Sequence, residues 1–234
     1  MPTPLPTLTA ELRDQWDLLR SRLDDLDDDV LAEPSAVEGW SVAELVAHLG
    51  RAMAVFSSCE PQPTDVEPLP LEEYVRGYAM GADEISRGTK ALAAELADDL
   101  LPRLDELVEA AFDRLAALTE AGPDAVVLAR RGPITVRDLV LTRIIELVAH
   151  GYDLATDLPA PAPVDAGARK IAAEALLNAL NAISGYDLQV GDEAAWIRAA
   201  TGRITWPDAV AAAALRPEYL SDGLPDVSRF LPLV

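Results

Sequence analysis

Histidine and cysteine are almost missing from this chain, with two of the first and one of the second in 234 residues. A single cysteine excludes an internal disulfide. Cys59, in SSCEPQP, also has no Cys or His beside it to make a redox or nucleophilic pair, so it reads as a partly exposed bystander. Basic charge is scarce as well: 19 basic side chains face 40 acidic ones, for a net charge of −21 and a pI of about 4.3. That balance excludes a broad electrostatic grip on nucleic acid or anionic lipid. No apolar run approaches the roughly 18 uninterrupted residues of a membrane span, and MPTPLPTLTA has neither the basic nor the apolar region of a signal peptide. The expectation is a cytoplasmic globule that binds neither nucleic acid nor membrane.

Half of the residues are apolar, enough for a sizeable core. Leu12, Trp16, Leu19, Leu23, Leu26 and Val30 recur at helical spacing and predict a helix over Thr9 to Val30, with DDLDDD as its solvated acidic end. A second helix is expected from Ser41 to about Ser58, followed by a surface connection, CEPQPTDVEPLP. Tyr74 to Leu96 and Leu104 to Leu118 mark a third helix and a fourth or kinked extension beyond Pro102. GPDAVVLARRGP reads as a turn, a short extended run and a turn. A helix from about Val136 to Thr156 is closed by Pro159, Pro161 and Pro163, a stiff linker that suggests a boundary between residues 1–160 and 161–234. Beyond it lie helices near Asp165 to Ser184, a short one ending at Gly202, and an Ala-rich one over residues 208–215. Any strands are expected to be short and confined to the last 70 or so residues.

Both histidines sit in the same pentapeptide, ELVAH, at Glu44 to His48 and at Glu146 to His150. The copies differ in role. Ser41-Val-Ala-Glu44 fits a capping box, which gives Glu44 a structural task at the helix start, whereas Glu146 lies deep inside its helix. In the later helix Arg143, Glu146, His150, Asp153 and Asp157 share one narrow stripe among apolar directions, and in the earlier one Ser41, Glu44, His48 and Arg51 do the same. Buried ionisable groups need partners, and a metal ion is one. Glu146 and His150, at i and i+4, can both reach one ion, and His48 would complete a set of three. The spacing by itself leaves open a plain ion pair and hydrogen-bonded core histidines.

GWSVAELVAHLGR (Gly39 to Arg51), followed by GPITVRDLVLTRIIELVAHGYDLATDL (Gly132 to Leu158), resembles the DinB-like superfamily and in particular its mycothiol-dependent maleylpyruvate isomerase family, over roughly residues 8 to 160. The resemblance implies a mainly α architecture: a DinB-like up-and-down four-helix bundle with a small C-terminal α/β module resembling sterol-carrier proteins. It implies a divalent metal, typically zinc, on His48, Glu146 and His150, and mycothiol as co-substrate. It also implies an arginine from the C-terminal module, for which Arg203 is the first candidate and Arg198 and Arg229 the alternatives. Three ligands leave a fourth position of a tetrahedral zinc for a thiol, which ionises there. Arg51 and Arg143, each three residues from a ligand, are expected to bind the diacid substrate, and Arg143 with Arg203 to serve catalysis. Asp153 is expected to orient His150. The competing expectations are an S-transferase using the same thiol, and a non-enzymatic small-molecule or lipid carrier with a structural metal.

Overall fold

The computed structural model describes residues 2–154, 161–219 and 223–234. In chain order the first part comprises α1 (Leu5–Leu23), α2 (Asp28–Ala32), α3 (Val42–Met53), β1 (Glu60–Pro61), α4 (Leu71–Met80), α5 (Ala82–Leu96), α6 (Leu100–Thr119), β2 (Val126–Ala129), β3 (Gly132–Thr135) and α7 (Val136–Leu154). The second part comprises α8 (Ala166–Ser184), β4 (Leu188–Val190), α9 (Glu193–Ala200), α10 (Trp206–Ala211) and β5 (Leu215–Pro217). The protein is mainly helical, with a small share of sheet.

In the bundle α1 packs on α7, and α3 packs on α5, α6 and α7. The apolar spacing of α1 explains its orientation: Leu5, Leu8, Leu12, Trp16, Leu19 and Leu23 are all buried on one face, each worth roughly 1.5–3 kcal/mol of hydrophobic transfer. On the outer side Arg20 clamps Asp105 of α6 through Nε and Nη2 at 2.6 and 3.0 Å. A Cβ on Gly50 of α3 would come 2.3 Å from Leu104 Cδ1 of α6, so the glycine permits a close helix crossing at the depth of the histidines. α7 is buried on most sides, with Leu139, Val140, Ile144, Leu147, Val148 and Leu154 in the core.

β1, β2 and β3 form an antiparallel sheet in that order, and β2 and β3 are joined by a turn at Arg130 and Arg131. In the second part α8 packs on α7, α1 and α9, and β4 pairs with β5 antiparallel. Buried Gln15 of α1 ties down the entry to α8, donating to the Pro163 carbonyl and accepting from the Asp165 amide, both at 2.9 Å.

Several expectations are corrected. The first helix ends at Leu23, and Asp27 instead caps α2 by accepting from the Val30 amide at 2.9 Å. Acidic residues at a helix C-terminus oppose its dipole, whereas the same residues suit an N-terminus, so DDLDDD breaks the helix rather than extending it. The second helix ends at Met53, with a separate 3₁₀ turn at Phe56–Ser58. Strands are not confined to the last 70 or so residues. The VVLA run finds a partner in GPIT across the tight turn, and residues 60–61 of the supposed surface connection add an edge strand. The Ala-rich helix stops at Ala211 because Ala213 adopts a left-handed φ of 53° and Leu215 is drawn into pairing with Val190. Cys59 is buried, its thiol donating to the Val55 carbonyl at 3.1 Å. Thr156, Asp157 and Pro159 lie outside the described residues.

Candidate metal centre

The start of α3 is fixed by a complete capping box. The Ser41 amide donates to Glu44 Oε2 at 2.9 Å, and the Glu44 amide donates to Ser41 Oγ at 3.2 Å. With Glu44 occupied there, the helical period carries His48 inward, where it is 6% exposed. Thr135 accepts from the Asp138 amide at 3.0 Å and starts α7, which brings Glu146 and His150 opposite His48. Glu146 Oε2 lies 3.4 Å from His150 Nε2 and 3.8 Å from His48 Nε2. The imidazole rings meet edge to face at 4.7 Å. One donor atom from each of the three residues lies within 4.8 Å of the others.

The far nitrogen of each ring is held. His48 Nδ1 is 3.1 Å from the buried Thr89 hydroxyl of α5, and Trp40 packs against the same ring at 4.9 Å while donating to Ser86 Oγ. His150 Nδ1 is 2.8 Å from Asp153 Oδ2, and Arg203 grips that carboxylate with Nη2 and Nε at 2.7 and 3.1 Å. Thus both Nε2 atoms are turned toward the Glu146 carboxylate, and a chain from Arg203 through Asp153 sets one of them.

Electrostatics follow from this packing. Burial holds the His48 pKa below the ordinary histidine value despite Glu146, so the ring is neutral at pH 7, the form that ligates metals. Burial also opposes charge on His150, but the Asp153 and Glu146 carboxylates outweigh it and raise its pKa. Burial would raise the Glu146 carboxyl, yet His150, His48 and Arg143 hold it well below the carboxylate range. Asp153 is likewise pushed up by burial and drawn down further by His150 and Arg203, to about 2.

Arg143 and Arg51 differ. Arg143 is 5% exposed and is committed to structure: Nη1 donates to the Ala52 carbonyl at 3.1 Å, Nε to Thr142 Oγ1 at 3.0 Å, and Nη2 to the Tyr78 hydroxyl. Its nearest carboxylate is Glu146 at 3.8 Å. Arg51 is half-buried and has no ion pair among the described residues. Arg203 reaches the centre through Asp153, while Arg198 and Arg229 are exposed and line neither cavity at the centre.

Those two cavities meet at His48, Tyr78, Ile85 and Glu146. One, about 560 Å³, is cationic, lined by Arg51, Arg130, Arg131 and Arg143. The other, about 500 Å³, is more apolar, lined by Trp40, Val75, Ile145 and the C-terminal Leu233 together with Arg203. Cys59 lines neither, and burial pushes its thiol pKa up to about 11. Sequence reasoning missed Thr89, Tyr78, Arg130 and Arg131; the only local signal was the paired arginine in ARRGP.

No curated protein matches the chain. A crystal structure of the mycothiol-dependent maleylpyruvate isomerase is similar in fold, with a TM-score of 0.51 at 19% identity, covering 76% of this chain and 70% of that one. The mycothiol maleylpyruvate isomerase N-terminal domain family matches residues 12–155. With more than half of its length matched, the chain belongs to the mycothiol maleylpyruvate isomerase N-terminal domain family.

Proposed function

We propose that the protein is a metal-assisted, thiol-dependent isomerase of maleylpyruvate-like diacids, with mycothiol as the thiol and zinc as the metal. The observation that carries this reading is the convergence of His48, Glu146 and His150 where two cavities meet. The donor set fits the metal: two imidazole nitrogens and one carboxylate oxygen suit zinc, and each histidine has its other nitrogen held by a neighbour. Held by these residues, zinc would supply the Lewis acidity that lowers the pKa of an incoming thiol.

The remaining work falls to the chain. The thiolate adds to one carbon of the cis double bond, and the displaced electron pair moves onto the neighbouring oxo group as an enolate. The former double bond is then single and rotates. Collapse of the enolate re-forms the double bond in the trans geometry and expels the thiolate, so no oxidant or reductant is consumed. Cationic side chains facing the diacid stabilise the enolate, and a cavity lined by four arginines in a protein of net charge −21 is suited to that. Arg203 and Asp153 keep His150 oriented, and Arg143 supports Tyr78 and Glu146 from behind.

We also propose a division of labour between residues 1–160, which hold the metal ligands, and residues 161–234, which contribute Arg203 and part of the wall of the second cavity. Transfer of the thiol to an electrophile uses the same first step and differs in the acceptor. The apolar second cavity favours, as the alternative, a small-molecule carrier with a structural metal. Incubating the zinc-loaded protein with maleylpyruvate, with and without mycothiol, separates these readings. Isomerisation only with the thiol is expected, and a fully metallated protein inert in both arms would favour the carrier.

A further inference from the structure

Six arginines line the two cavities at the candidate centre, and half of them are already engaged. Arg143 is spent on Ala52, Thr142 and Tyr78; Arg203 on Asp153 and the Thr201 carbonyl; exposed Arg130 on Glu84. Arg76 lines the second cavity and is exposed. Arg51 and Arg131 remain, both half-buried, both in the first cavity, and both without a carboxylate within ion-pair distance among the described residues. In a chain with 40 acidic side chains, two neighbouring cations left unpaired in a cavity require an explanation.

Both side chains are also seated in place by close backbone approach. A Cβ on Gly88 of α5 would stand 2.8 Å from Arg51 Nη2 and 2.9 Å from Nε, so the guanidinium rests against the α5 backbone. Arg131 lies across α4: a Cβ on Gly77 would come 3.1 Å from its Cδ and one on Gly81 3.7 Å from its Nη2, and its guanidinium sits 3.8 Å over the Tyr78 ring. Held this way, each planar donor fork loses little freedom when it meets an anion.

We infer that Arg131, from the turn between β2 and β3, and Arg51 of α3 form a carboxylate-binding subsite that holds the substrate diacid in the first cavity beside His48 and Glu146. This rests on the isomerase reading and extends it by naming the cavity and the residues that select an anionic substrate. The Arg51 guanidinium is destabilised by its burial and then by the charge of Arg130; Glu84 and Glu146 partly offset this, Arg131 adds to it, and a bound carboxylate would relieve the net repulsion. The one carboxylate opposing them in the cavity wall besides Glu146 is that of Glu60, which is exposed.

The test is calorimetric titration of maleate, a cis-dicarboxylate, into zinc-loaded protein. Wild type should bind. Arg131→Ala and Arg51→Ala should each weaken binding about tenfold or more, as expected for losing a charged hydrogen bond, with metal content unchanged. Arg131→Lys should fall between, and Gly88→Ala, which displaces the Arg51 side chain without removing it, should weaken binding in the same direction. Arg76→Ala should bind as wild type does. Absence of maleate binding by the wild type, or loss in Arg76→Ala with wild-type binding in Arg131→Ala and Arg51→Ala, overturns the subsite. Thiol-dependent turnover is scored separately: the expected binding pattern without isomerisation upholds the subsite and removes the isomerase reading, whereas isomerisation with Arg131→Ala and Arg51→Ala binding normally does the reverse.

Discussion

Replacing Arg143 by alanine should damage the fold before it damages chemistry. The side chain is 5% exposed and makes three hydrogen bonds, to the Ala52 carbonyl, to Thr142 Oγ1 and to the Tyr78 hydroxyl, and it lies 3.8 Å from Glu146. Its removal strands a buried carbonyl and a buried hydroxyl, and it leaves the Glu146 carboxylate without its neighbouring arginine. Breaking a buried charged group of this kind costs about 3–5 kcal/mol. For a chain of this length each kcal/mol shifts the melting temperature by about 2–4 °C, so the expected drop is about 6–20 °C. The assay is thermal and denaturant unfolding of the metal-free variant and wild type, because bound metal would add its own stabilisation. A variant within 1 kcal/mol of wild type would refute the reasoning and return Arg143 to the role of a free substrate-binding cation, as its position in the sequence suggests.

Other consequences follow from the same geometry. Glu44→Ala should retain metal and lose about 0.5–2 kcal/mol through the broken capping box, whereas His150→Ala should abolish metal binding; elemental analysis of both, with unfolding of the first, checks this. Arg203→Ala should lower metal affinity by about 10–100-fold by freeing Asp153 to turn from His150, read by competition with a chromophoric chelator. Cys59→Ser should leave thiol-dependent turnover nearly intact. With its pKa up to about 11, the native thiol should resist alkylation at pH 7 and react faster as pH rises toward 11. Because the folded thiol keeps its proton above the ordinary cysteine value of 9.0, its contribution to stability is present below about pH 9 and is lost as pH rises from there.

What the sequence made legible were the periodic features. The capping box separated Glu44 from Glu146, and the 3.6-residue period put His48, Arg51, Arg143, Glu146, His150 and Asp153 on inward stripes, because both signals are local to one helix. Pairings between distant segments were not local. Thr89 reaches His48 only because α5 packs on α3, and Arg131 reaches the cavity only because a tight turn folds back over α4; neither spacing is written in a single helix. DDLDDD misled because net charge was weighed without the direction of the helix dipole. Cys59 misled because a proline-rich neighbourhood suggested exposure, whereas the side chain packs into the hydrophobic core and its thiol donates to the Val55 carbonyl.

The central claim is that His48, Glu146 and His150 hold a metal with a position open to an external thiol. Substituting cobalt for zinc and recording the near-ultraviolet and visible spectrum while adding mycothiol tests it most directly. A new sulfur-to-metal charge-transfer band that saturates at one thiol per bound cobalt, and is absent in His150→Ala, is the predicted result. Cobalt bound at full occupancy with a spectrum unmoved by the thiol would contradict the account and leave the metal a structural one.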